Sequence, residues 1–265
     1  MFKFIRHLGR RPLQSFTAEE LREDHKKRNG GKIETVHGMF TGEHIGDFVY
    51  GGIDGVVTTF AIVAGVAGAN LSASIILVLG LANLFADGFA MAVGNFLSIR
   101  SEKERYNIVR LEEAYEIEKI PEYEREEVRT IYKEKGFEGK VLDEIVTTIT
   151  SDKDRWLREM LFEEHGLTPD FKSPLWGGFV TYISFILIGS IPLLSFVAEL
   201  FFPDIAPYAI ISSVVLTGFA LFFIGALKTL VVKRSIFKSG METLGMGGLA
   251  AIVAYAIGYL LRGLA

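Results

Sequence analysis

Three aspartates carry the chemistry that this sequence makes hardest to dismiss. Asp47, Asp54 and Asp87 lie in or beside stretches with almost no other charge, and the 32 residues from Gly55 to Ala86 contain no charged side chain at all. A carboxylate in hydrocarbon costs a few kcal/mol or more, so it normally has a partner or a task. Asp47 and Asp54 are seven residues apart, two helical turns, and share one face of a helix. Asn83, Asp87, Met91 and Asn95 recur every four residues, a polar stripe with one thioether. No lysine or arginine lies at the depth of Asp54 or Asp87, so a cation or a bound proton is the economical partner. Carboxylate, amide and thioether together suit a divalent transition metal better than magnesium or calcium alone. The plain alternative is that these polar groups only hydrogen-bond neighbouring helices, and Asn83 and Asn95 fit that reading equally well.

A second constellation is acidic. Glu112, Glu113, Glu116 and Glu118 precede Pro121, and Glu122, Glu124, Glu126 and Glu127 follow it. Spacings of three put Glu113 with Glu116, and Glu124 with Glu127, on shared helix faces, where like charges destabilise a bare helix. Met160, Glu163 and Glu164 come later in the same polar region. Nearby lysines and arginines can compensate, and a solvated charged face is one explanation. The other is a labile divalent-metal site of glutamate oxygens and a methionine sulfur, suited to capture and release.

The elements that must position these groups follow from hydropathy. The chain has 265 residues, 49% hydrophobic and 23% charged, with no cysteine. Uncharged runs of 26, 23 and 19 residues, Ser173–Ala198, Ile205–Leu227 and Thr243–Leu261, follow the first. A helix crosses a bilayer in about 20 apolar residues. The fold class is therefore an all-α integral membrane protein, and a soluble globule or a disulfide-stapled domain is excluded. Asn70-Leu71-Ser72 interrupts the longest run, which predicts helices near 48–69 and 74–99, with three more near 175–198, 207–228 and 244–262. Five crossings put the termini on opposite sides of the membrane.

Lysine and arginine counts orient the spans. Nine fall in the first 46 residues, and Lys233, Arg234 and Lys238 lie between the last two spans. The predicted arrangement is a basic cytosolic arm over 1–46, two spans over 47–99, a cytosolic helical insert over 100–174 and three spans over 175–265, with the C-terminus on the far side. The arm reads as a solvated segment along the anionic membrane face. Thr17-Ala18-Glu19-Glu20 could cap a short helix in it, and the opening residues lack the apolar core of a cleavable signal.

Within the insert, Ser101 to Lys172 holds 20 acidic and 13 basic side chains, a net −7. Helix 2 is expected to continue through Arg100–Lys119. Pro121 suits the first turn of a new helix ending near Lys135-Gly136. A third covers about Glu138–Thr150. A fourth starts at Ser151 or Asp152 and ends at Gly166, Ser151 preceding Asp154 by three as a cap would.

Gly51 and Gly55, and separately Ala82, Ala86, Ala90 and Gly94, form small-residue faces for close helix approach, within one chain or between two copies. There is no HExxH pair, P-loop or Gly-x-Ser-x-Gly elbow, so an enzyme is not expected. Basic patches with interleaved aromatics are absent, so nucleic acid is not an expected partner. The histidines are scattered; His37 and His44, seven apart, could share a face and read as surface or interfacial groups.

Taken together, Asp54-Gly55-Val56-Val57-Thr58-Thr59, Gly80-Leu81-Ala82-Asn83, Ala90-Met91-Ala92-Val93-Gly94-Asn95-Phe96-Leu97-Ser98 and Ser101-Glu102 resemble the vacuolar iron transporter family, over roughly residues 44–265. So does the layout of two helices, a Glu-rich insert and three helices. The resemblance implies a homodimeric, proton-coupled exporter of Fe²⁺ and related ions (Mn²⁺, Co²⁺, Zn²⁺) from the cytosol, with no permanent cofactor and the path where two copies meet. It implies Asp54 and Met91 as intramembrane ligands with Asp87 nearby, and Asp47 as the acid at the cytosolic entrance. It implies Glu113, Glu116, Glu124, Glu127, Met160 and Glu164 as the cytosolic metal ligands, with Glu163 as a substitute or addition. Asn95 and Leu161 stand where that family often carries an acid. A passive cation channel, an organic-cation carrier and a membrane-anchored metal sensor or scaffold are the rival functions.

Overall fold

The chain turns at the expected polar interruption. Helix α1, Ile45–Gly68, ends just before Asn70, which adopts φ +58°, a left-handed conformation that asparagine tolerates better than most residues. Helix α2, Ala73–Lys119, then runs 47 residues without a break. The computed structural model describes residues 44–169, 171–230 and 235–264. The basic arm before residue 44, with its Thr17–Glu20 cap and His7, His25 and His37, and the basic pair Lys233 and Arg234 lie outside the described residues. Every regular element among the described residues is helical.

Three short helices follow α2: α3, Pro121–Glu134, α4, Gly139–Thr150, and α5, Lys153–Glu163. Pro121 opens α3 in the first turn, where its missing N–H costs nothing. The cap of α5 is Asp152, whose Oδ1 accepts from the Arg155 backbone N–H at 2.7 Å. Ser151 does not cap it, because Ser151 still has helical dihedrals at the end of α4 and donates its hydroxyl to the Thr148 carbonyl. The three helices enclose an apolar core with α2. Leu142, Val146 and Ile149 recur at helical spacing on α4, and Trp156, Leu157, Met160 and Leu161 face them from α5.

The remaining spans are α6, Pro174–Gly189, joined through a 3₁₀ turn at Ile191–Leu193 to α7, Leu194–Phe201; then α8, Ala209–Leu227, after a 3₁₀ segment at Pro203–Tyr208; and α9, Ile236–Leu261. The break after Gly189 has a cause in Pro192, which has no N–H to continue the ladder. The Pro192 carbonyl accepts from Ser213 Oγ of α8 at 2.6 Å, which satisfies one backbone group freed at the break. Helix α9 begins at Ile236, ahead of the expected 244, because Lys238 and Glu242 are accommodated in its first turns. Among the described residues, five helical stretches are long and apolar enough to cross a bilayer: Ile45–Gly68, Ala73–Lys119, Pro174–Phe201, Pro203–Leu227 and Ile236–Leu261. The protein is an integral, multi-pass membrane protein.

Helix α1 is the hub, packed against α2, α6, α8 and α9. Its glycines explain how closely these neighbours approach. A Cβ on Gly55 would lie 2.5 Å from the Phe185 carbonyl oxygen of α6, and one on Gly258 of α9 would collide with the Gly65 carbonyl of α1. The small residues of α1 are thus consumed within the chain. Those of α2 are not: Ala82, Ala86, Ala90 and Gly94 are exposed, and a Cβ on Gly94 would meet nothing within 4 Å.

Candidate metal sites

The polar stripe of α2 divides by function. Asn83 at one end reaches Thr58 Oγ1 of α1 at 3.5 Å, and Asn95 at the other binds groups on α1 and α6. Between them, Asp87 and Met91 line an open groove of ≈430 Å³ together with Tyr50, Ala90, Gly94, Asn95 and Ser98. Asp54, half-buried on α1, is outside that lining, yet Asp54 and Asp87 lie near enough to repel each other electrostatically. Neither carboxyl group has a hydrogen-bond or ion-pair partner among the described residues. The groove therefore offers a carboxylate, a thioether and an amide to a passing cation, with a second carboxylate close by.

Asp47 is different. It is buried, with 8% exposure, and is held by three protein groups. His44 Nδ1 lies 3.0 Å from its Oδ2, Asn95 Nδ2 donates to its Oδ1 at 3.2 Å, and Lys172 Nζ stands 3.5 Å from Oδ2. Lys172 can reach it because the chain returns to the membrane just before α6, next to the first turn of α1. An ion approaching Asp47 must compete with that ammonium group.

The second site is built where α2, α3 and the end of α5 meet. Ile120 breaks the helix, and Pro121 restarts it in a new direction. This turn brings Glu124 and Glu127 of α3 back onto Glu113 and Glu116 of α2. Glu113 and Glu124 are each only 2% exposed. Burial pushes both carboxyl groups up to about 7, reinforced by the neighbouring Glu116 and Glu164 charges. Glu127 is raised as well, by burial first and then by Glu124, Glu164 and Glu116. Glu113 Oε1 and Glu124 Oε2 are buried with no hydrogen-bond partner. Two ionised carboxylates cannot donate to one another, so a shared proton or a shared cation is what satisfies both.

Of the glutamates expected from the sequence, Glu116, Glu124, Glu127 and Glu164 all act on the Glu113 carboxyl group. Glu163 is turned elsewhere and forms an ion pair with Lys135. Met160 is fully buried in the apolar core beside Leu157 and Leu161.

Two sites of this kind, one on membrane-spanning helices and one on a helical insert, invite comparison with known proteins. Residues 45–259 match the VIT family. The chain belongs to the VIT family. It is 34% identical over 249 residues to a protein named vacuolar iron transporter from Toxoplasma gondii, covering 92% of this chain and 80% of that one. It is 35% identical over 217 residues to vacuolar iron transporter 1 of Arabidopsis thaliana, covering 82% and 85%. A vacuolar iron transporter from Centaurea cyanus is 34% identical over 222 residues, covering 83% and 89%.

Two positions where this VIT chain lacks an expected acid have physical explanations. Leu161 is 2% exposed and completes the core of the insert. Asn95 acts as a donor, which a carboxylate could not do. Sequence reasoning missed His165, whose Nε2 lies 3.1 Å from Glu113 Oε2 and 3.8 Å from Glu164 Oε2. Its adjacency to Glu164 was the only available signal, because the turn that folds it back is set by Gly166, at φ +65°.

Proposed function

We propose that this protein moves Fe²⁺ and related divalent transition metals out of the cytosol in exchange for protons. The observation that carries the reading is the pair Asp54 and Asp87, carboxylates on membrane-spanning helices with no cationic partner among the described residues, beside the thioether of Met91. The names of the curated relatives support iron as cargo. The glutamates of the insert collect the ion on the cytosolic side. The ion passes Asp47 and Lys172 and enters the groove at Asp87 and Met91, with Asp54 as the second carboxylate. A rocking motion opens the groove to the far side. Protonation of either aspartate removes a charged ligand and releases the ion.

The exposed small-residue face of α2, continuous with the groove, supports a homodimer in which two copies bring their grooves together. Purified protein in proteoliposomes tests the reading. Uptake of Fe²⁺, Mn²⁺, Co²⁺ or Zn²⁺ should accumulate against its gradient only when a pH gradient is imposed, and Asp54→Ala should abolish it. Downhill equilibration indifferent to the pH gradient would indicate a channel, and binding without flux a sensor.

A further inference from the structure

We infer that His165 is an imidazole ligand for the ion held by the glutamate cluster, and that it biases the cluster toward nitrogen-seeking ions such as Ni²⁺ and Zn²⁺ over Mn²⁺. The inference rests on the reading of that cluster as a capture site, and adds to it a donor of a different chemical class.

The geometry comes first. Glu113, Glu164 and His165 each place a ligand atom within 4.8 Å of the others. His165 Nε2 lies 3.1 Å from Glu113 Oε2 and 3.8 Å from Glu164 Oε2. Two donors bound to one ion at about 2.0–2.2 Å stand roughly 3.0–3.6 Å apart in octahedral or tetrahedral geometry. An ion entering among the three would need to draw the side chains together from separations of up to 4.8 Å.

The second observation is independent of the imidazole. Glu113 Oε1 and Glu124 Oε2 are buried without a hydrogen-bond partner. Glu113 thus presents one oxygen to His165 while its carboxyl group also meets that of Glu124, a buried pair that a proton or a cation must bridge.

The imidazole is also held in place. Helix α5 ends at Glu163, and beyond Gly166 the Leu167 N–H returns to the Leu161 carbonyl at 2.7 Å. Leu167 packs against the core of the insert. His165 therefore rides on a turn anchored at both ends. A site made only of carboxylate oxygens suits Mn²⁺, Mg²⁺ and Ca²⁺, whereas imidazole nitrogen favours ions later in the first transition row.

The test uses the full chain in detergent, loaded with one equivalent of Ni²⁺ or Mn²⁺. X-ray absorption at the nickel edge should show the outer-shell scattering of an imidazole, lost in His165→Leu and in His165→Gln. Gln keeps a hydrogen-bonding side chain against Glu113 and so controls for a structural role. Both variants should weaken Ni²⁺ binding about tenfold or more and Mn²⁺ binding less than about threefold. Wild-type scattering without imidazole, or equal losses for both ions, or a Gln variant that binds Ni²⁺ as tightly as wild type, would overturn the inference. Glu113→Gln and Glu124→Gln separate the two readings. If they abolish binding while His165 variants do not alter it, the capture site stands and the histidine assignment falls. If they too leave binding unchanged, the capture site itself falls.

Discussion

The side-chain nitrogen of Asn95 lies 3.2 Å from Asp47 Oδ1, 3.1 Å from the Gly177 carbonyl and 2.8 Å from Thr181 Oγ1. One amide thus ties α2 to α1 and α6. The position requires a donor, because a carboxylate and a carbonyl both point at it. Asn95→Asp should lower stability by about 1–3 kcal/mol, the cost of a buried polar group left without its partner. Thermal unfolding in detergent at pH 8 measures this, and an unchanged midpoint would remove the amide's structural role.

Close approach of α1 and α6 makes a sharper prediction. Gly55→Ala places a methyl group 2.5 Å from the Phe185 carbonyl oxygen and 3.0 Å from its Cα. The backbones must separate, at a cost of roughly 1–3 kcal/mol. Gly94→Ala meets no atom within 4 Å and should leave the protomer as stable as wild type. Gly94→Leu, on the exposed face of α2, should reduce the dimer fraction in cross-linking or light scattering. A dimer insensitive to that change would mean that the copies meet elsewhere.

The glutamate cluster predicts how stability depends on pH. Glu113 and Glu124 titrate at about 7 in the fold, against an ordinary value of 4.5, with burial as the main cause. Between those values the folded, metal-free protein holds more protons than the unfolded chain, so its stability falls as pH rises through the window. Chelator-treated protein should therefore melt at a lower temperature at pH 8 than at pH 5. Glu113→Gln with Glu124→Gln should flatten the dependence, at roughly 2–4 °C per kcal/mol for a domain of this size. A saturating divalent ion should restore stability at pH 8, by about 2.7 kcal/mol at a hundred times its Kd. An undiminished pH slope in the double variant would rule these two residues out as its source.

Transport and capture should separate by mutation. Asp87→Asn keeps the shape of the groove but removes the carboxylate from its lining. Proton-driven metal uptake should fall at least tenfold, about 1.4 kcal/mol or more in transition-state terms. Calorimetric binding to the insert should stay within about twofold, since the cluster keeps all its ligands. Loss of both would point to misfolding, and loss of neither would remove Asp87 from the path.

Much of this architecture is legible in the residues, and the exceptions are instructive. Uncharged runs located the spans and Pro121 located the start of α3, because both signals are local, whereas the grouping of Glu113, Glu116, Glu124 and Glu127 was implied by the family resemblance. Side-chain direction at the end of α5 was not legible. Glu163 and Glu164 are neighbours in sequence, yet one pairs with Lys135 and the other joins the cluster. The helix phase there depends on which apolar residues fill the insert's core. Nor could the sequence reveal that Lys172 reaches Asp47, since 125 residues separate them.

The uninterrupted length of α2 has a mechanical consequence. Asp87 and Glu113 lie on the same helix, about 39 Å apart at 1.5 Å per residue. Because no proline or glycine pair hinges the rod between them, an angular change of about 5° at one end is carried to the other as a displacement of roughly 3 Å. If the glutamate cluster takes up metal as proposed, its loading or emptying would be felt as leverage deep among the lipids.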